Sequence, residues 1–110
     1  MKSEEKSTNK EKQTLIIRKY HKYLKLEKAL SPNTVDAYQT DLQKLLHFLE
    51  GEGIAILDTT LDDLQHFASG LHDIGIHPRS QARILSGIKS FFHFLVMADY
   101  LEGDPSELLE

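Results

Sequence analysis

The chain has 110 residues, 13 Lys and Arg against 17 Asp and Glu, and no cysteine. That length supports one small domain with a real core, and the missing thiols exclude disulfides and thiolate metal sites. The opening MKSEEKSTNKEKQ holds no apolar stretch of signal-peptide type, and no apolar run approaches the ~18 residues of a membrane span. These features point to a cytoplasmic protein with no membrane partner.

The net charge of −4 conceals a division into blocks. Residues 1–49 carry ten basic and six acidic side chains, and residues 50–78 carry six acids with no Lys or Arg. Residues 79–98 carry Arg79, Arg83 and Lys89 and no acid, while residues 99–110 carry five acids. Such blocks give a protein one positive and one negative side.

In chain order, residues 1–11 read as a disordered charged tail, with the folded domain over residues 12–110. A first helix is expected over about residues 13–29, where Ile16, Tyr20, Tyr23, Leu24 and the aliphatic stem of Glu27 recur at helical spacing. Ser31 followed by Pro32 is a helix start, a hydroxyl N-cap before proline at the first helical position. The second helix buries Val35, Tyr38, Leu42, Leu45, Leu46 and Leu49, with Asn33, Ala37, Thr40 and Lys44 opposite. Gly51 and Gly53 stop it near Glu50.

Thr60-Leu61-Asp62-Asp63 has the form of a capping box with an acid at its fourth place. It opens a third helix built on Leu61, Leu64, Phe67, Ala68 and Leu71, which ends before Gly75 and Pro78. The fourth helix starts between Pro78 and Ser80 and reaches about Ala98, and a short last element follows from the Asp104-Pro105 step. Nothing alternates with period two. The expected fold class is therefore all-α, a compact four- to five-helix bundle.

The six histidines form no i, i+4 pair and have no thiolate beside them, so no metal is expected. No glycine-rich phosphate loop, cofactor or small-molecule ligand is indicated. Gly87 lies in mid-helix, where glycine costs ~1 kcal/mol against alanine. It therefore implies a close approach, by a neighbouring helix or by DNA.

The fourth helix carries the functional signal, in SQARILSGIKSFFHFL. Ile84, Leu85, Ile88, Phe91, Phe92 and Leu95 share one face. Arg83, Ser86 and Ser90 lie opposite, flanked by Lys89 and His93. Small hydroxyls beside positive charge suit a phosphate backbone.

Taken in order, YLKLEKAL, SPNTVDAY, DLQKLLHFLEGEG, SQARILSGIKSFFHFL and GDPSELLE resemble the N-terminal core-binding domain of tyrosine site-specific recombinases. These are the phage-integrase-like enzymes, and within them the XerD-like chromosome-dimer resolvases are nearest. The resemblance runs from about Leu15 to Glu110. It implies a SAM-like helical bundle that grips one face of a recombination site in double-stranded DNA, alongside other recombinase subunits on the same site. The catalytic domain would follow Glu110, so no catalytic residue is expected here.

Carried over by position, the resemblance implies that Ser31, Asn33, Thr34, Ala37 and Thr40 on the second helix lie near the duplex, as do Ser80, Arg83, Ser86, Lys89 and Ser90 on the fourth. Lys44 and Arg79 join them as basic candidates for DNA contact. Arg83 can contact phosphate or guanine in two-pronged fashion. Where relatives often carry arginines after the helix-two tyrosine, this chain has Gln39 and Thr40. That shifts the electrostatic argument onto the fourth helix and onto the basic residues of the first. Two other readings stay open: the matching domain of a mobile-element integrase, and a helical protein-interaction module.

Overall fold

The computed structural model describes the backbone of residues 2–110 and the side chains from Lys10 onward. Four α-helices are present: α1 Lys2–Lys22, α2 Pro32–Glu52, α3 Leu61–Asp73 and α4 Pro78–Met97. A π-helical turn, Tyr23–Glu27, continues α1, and a 3₁₀ turn, Ile56–Asp58, precedes α3. No strand occurs among the described residues, so the fold is all-α as expected. The chain divides into two units, residues 1–39 and residues 40–110, with the boundary inside α2.

In the first unit, α1 begins well before the expected start near residue 13. Residues 2–22 contain neither glycine nor proline and are rich in Lys and Glu, which favour helix. Met1, the first residue of the expected charged tail, lies outside the described residues. Ile16, Tyr20, Tyr23 and Leu24 are buried as their spacing predicts. Glu27 is exposed, so its stem adds nothing to the core. The chain leaves the π turn through Ala29, whose φ of +52° reverses its direction. There the Leu30 N–H donates to the Leu24 carbonyl at 3.1 Å. Ser31 then caps α2, its Oγ accepting from the Thr34 N–H at 3.3 Å. Val35 is buried, whereas Tyr38, expected in the core, is half-buried.

In the second unit, the remainder of α2 buries Leu42, Leu45, Leu46 and Leu49. The helix runs through Gly51 and stops at Gly53, where φ is +70°. Backbone bonds from Gly53 to Glu50 and from Ile54 to Leu49 close the helix end. The expected capping box is formed: the Asp63 N–H donates to Thr60 Oγ1 at 3.2 Å, and the Thr60 N–H donates to Asp63 Oδ2 at 2.9 Å. Asp62 and Asp63 thus place negative charge at the positive end of the α3 dipole.

Phe48 of α2 meets Phe67 of α3 with ring centroids 5.6 Å apart. α3 also packs against α4, whose Ile84, Ile88, Phe91, Phe92 and Leu95 are buried. Phe94 is buried too, on a side of α4 that the stripe pattern assigns to the margin. Beyond α4, Asp99 at φ +64° ends the helix. The last element is a turn in which the Asp104 carboxylate accepts from the Ser106 N–H at 2.8 Å and from its hydroxyl at 2.6 Å.

Thr60→Ala removes one half of the capping box, and urea unfolding should show a loss of about 1 kcal/mol. An unchanged midpoint would mean that the 3₁₀ turn and helix packing, rather than the cap, set the start of α3.

Candidate nucleic-acid interface

Helix α4 presents Arg79, Arg83, Ser86 and Ser90 at i, i+4, i+7 and i+11, the spacing of one helical face. Arg79, Ser80, Arg83 and Ser86 are exposed, and Lys89 and Ser90 are half-buried. His77 caps the helix, its Nδ1 accepting from the Arg79 N–H at 3.1 Å, and Pro78 follows at the first helical position. A histidine cap is uncommon, and the sequence pattern carries no signal for it beyond the following proline.

On α2, Asn33, Ala37, Thr40 and Lys44 repeat the same spacing. Asn33, Thr40 and Lys44 are exposed and Ala37 is half-buried. The first turn of α2 offers little to an anion. Pro32 has no N–H, the Thr34 N–H is taken by Ser31 Oγ, and the Val35 N–H donates to the Ser31 carbonyl at 2.9 Å. The Ser31 and Thr34 hydroxyls are 2.9 Å apart, and one donates to the other. Ser31, Asn33, Thr34 and Ala37 belong to the first unit, whereas Thr40, Lys44 and the α4 residues belong to the second.

Within the second unit the side chains converge on a residue outside the expected set. Asp41 of α2 is 1% exposed, and its Oδ2 accepts from Arg83 Nη1 at 2.7 Å. Arg83 itself stays 53% exposed. Lys44 Nζ stands 3.8 Å from the other carboxylate oxygen, Oδ1, which is buried and accepts no hydrogen bond. One carboxylate therefore holds two cations, Arg83 tightly and Lys44 loosely.

The acid-free face of α4 thus receives its acid from a neighbouring helix. A signal for Asp41 exists in the sequence. It falls three residues after Tyr38 and four before Leu45, on the apolar stripe of α2, where an unpaired carboxylate is prohibitively costly.

Gly87 is explained by the same contact. A Cβ at this position would stand 3.2 Å from Asp41 Oδ2 and 3.4 Å from Asp41 Cβ. The close approach is that of α2 to α4, so of the two readings of Gly87 the neighbouring helix is the observed one. Among the described residues no cluster of His, Cys, Asp or Glu could hold a metal. His66 instead stands 3.6 Å from Asp62 one turn earlier, both well exposed.

Residues 17–99 match the phage integrase N-terminal SAM-like domain. The chain belongs to that family. It is 41% identical over 96 residues to the tyrosine recombinase XerD of Staphylococcus saprophyticus, covering 86% of this chain and 32% of that protein. It is 37% identical over 92 residues to the tyrosine recombinase XerC of Oceanobacillus iheyensis, covering 83% and 30%. Against XerD of Proteus mirabilis it is 37% identical over 101 residues, covering 92% and 32%. The chain spans about a third of the length of the curated relatives it matches. Both the SAM-like family and the Xer recombinases agree with the resemblance read from the sequence.

Gly87→Ala should fail to stabilise the protein. Alanine adds about 1 kcal/mol of helix propensity, but its methyl presses on the oxygen that Arg83 grips. A thermal melt should place the variant at or below the parent, and a rise of several degrees would show that Asp41 moves freely.

Proposed function

We propose that this chain is the DNA-binding part of a XerD-like tyrosine recombinase. In this reading it grips one face of a recombination site in double-stranded DNA beside other recombinase subunits, and it serves site-specific recombination and chromosome dimer resolution in the cytoplasm. The observation that carries the reading is the exposed α4 face, where Arg79, Ser80, Arg83 and Ser86 stand together with no acid on that helix. Its membership in the phage integrase N-terminal SAM-like family supports the same reading.

The physical roles follow from residue type. Arg79 and Lys89 supply charge to phosphates, and Ser80, Ser86 and Ser90 supply short donors that let the duplex come close. Arg83 presents a planar, multi-donor group suited to phosphate or to a guanine edge. On α2, Thr40 and Lys44 add a hydroxyl and a cation, and Ser31, Asn33, Thr34 and Ala37 form a polar, small-residue start. None of these groups is a nucleophile with an adjacent base, and we assign cleavage to the part of the recombinase that this chain does not include. No described helix is long and apolar enough to cross a membrane, which suits a protein that works on chromosomal DNA.

Such a surface binds by releasing counterions, so affinity should fall log-linearly with salt, by about 0.9 in slope for each phosphate neutralised. Fluorescence anisotropy with a labelled duplex should show that dependence, with micromolar or weaker binding near physiological salt, the range of largely non-specific contacts. Arg79→Ala should make the slope shallower by about one on any duplex sequence. Binding that ignores salt, or no effect at Arg79, would favour a protein-interaction module instead.

A further inference from the structure

The Asp41 carboxylate poses a problem that DNA binding alone does not solve. A surface meant only to attract phosphate gains nothing from a carboxylate that cancels one of its cations. Yet Asp41 lies 1% exposed beneath Arg83, bonded to it at 2.7 Å, with Lys44 at 3.8 Å on its other oxygen. Arg83 and Lys44 alone would carry two positive charges, and with Asp41 the three groups carry a net of one. The site is also sterically prepared, because Gly87 leaves the space in which the carboxylate sits.

We propose that Asp41 is a positioning residue for Arg83: it fixes the guanidinium on the α4 face and lowers that face's indiscriminate attraction for phosphate, so that binding becomes selective for the duplex. The proposal rests on the DNA-binding reading above and adds a role for a residue that touches no DNA itself.

A free arginine side chain has many rotamers and reaches whichever phosphate is nearest. Arg83 has one Nη1 donor committed to a buried, immobile acceptor, which fixes the plane of the whole guanidinium. The donors that remain on its exposed half then point in set directions, and contact geometry rather than proximity decides binding. Partial neutralisation acts in the same sense. Non-specific affinity scales with the cations presented, so removing one lowers binding to every sequence, while a directed contact is retained only where the duplex fits it. Lys44 loses some of its attraction for phosphate through the same carboxylate, which leaves Arg79 and Lys89 as the α4 cations that pair with no acid among the described residues.

Asp41→Asn separates this role from a structural one. Asparagine keeps the size of the side chain and one oxygen that can accept from Arg83, but it removes the charge. The probes are a duplex enriched by the chain from a random-sequence pool and a scrambled version of it, each titrated across salt.

The variant should bind the scrambled duplex roughly three- to tenfold more tightly near 0.1 M salt, with a slope steeper by about one. The preference for the enriched duplex should shrink. A parallel loss on both duplexes, with the preference intact, would mean that Asp41 only supports the fold.

A second measurement needs no variant to fold. In the DNA-free parent, ¹⁵N relaxation at Arg83 Nε should report order close to that of the backbone, and a freely moving Arg83 overturns the proposal. If the pool yields no enriched sequence although the chain binds DNA with log-linear salt dependence, selectivity is refuted and the DNA reading survives. If no duplex binds at all, the DNA reading fails and the role of Asp41 fails with it.

Discussion

A charged carboxylate in a protein interior needs a cation or several hydrogen bonds to offset its lost hydration, and in the second unit Arg83 meets that need for Asp41. Asp41 is placed by the α2 stripe among leucines and is held there by Arg83 of α4. The pair sets how closely the two helices approach, and that approach requires the missing Cβ at Gly87. A glycine in mid-helix, an arginine directed to one side and an acid among leucines are three views of a single contact. Its partners are unequal. Asp41 is buried and cannot relax into water, whereas Arg83 is half in solvent, so removing Arg83 strands a buried charge while removing Asp41 leaves a cation that water can solvate.

The charge blocks gain a structural meaning on the same basis. Acids of the 50–78 block work at the start of α3, where Asp63 closes the capping box and Asp62 lies beside the dipole's positive end. Asp104 plays a comparable local part near the C-terminus, where it orders Ser106. Asp41 differs from these because its charge is spent across helices, on the one face that otherwise carries only cations and hydroxyls. The face is therefore moderated, not merely basic. On the DNA-binding reading proposed above, that moderation in a chain of net negative charge would keep attraction for DNA local and weak.

Much of this was legible in the sequence. Leu42, Leu45 and Leu49 on α2 and Ile84, Ile88, Phe91 and Leu95 on α4 lie where a 3.6-residue period puts them, because apolar burial dominates helix placement. The Ser31-Pro32 start and the Thr60 box are visible because their hydrogen bonds join residues three apart. What escaped depends on contacts distant in the chain. Asp41 and Arg83 are 42 residues apart, and although the stripe position of Asp41 and the mid-helix Gly87 each signal a contact, neither identifies the partner. The His77 cap and the burial of Phe94 likewise depend on how α4 sits against its neighbours. The early start of α1 is hidden for a different reason, since dense Lys and Glu suit a disordered charged tail and also favour helix.

The central claim is that Asp41 and Arg83 act as one unit that joins α2 to α4. A double-mutant cycle tests it most directly, with Asp41→Asn, Arg83→Met and the pair compared by urea unfolding. A hydrogen bond to a charged group is worth about 1.5–3 kcal/mol, and the coupling between the two sites should fall in that range. Losses that add to within about 0.5 kcal/mol, as for independent sites, would contradict the account and leave Gly87 and the buried carboxylate without a common cause.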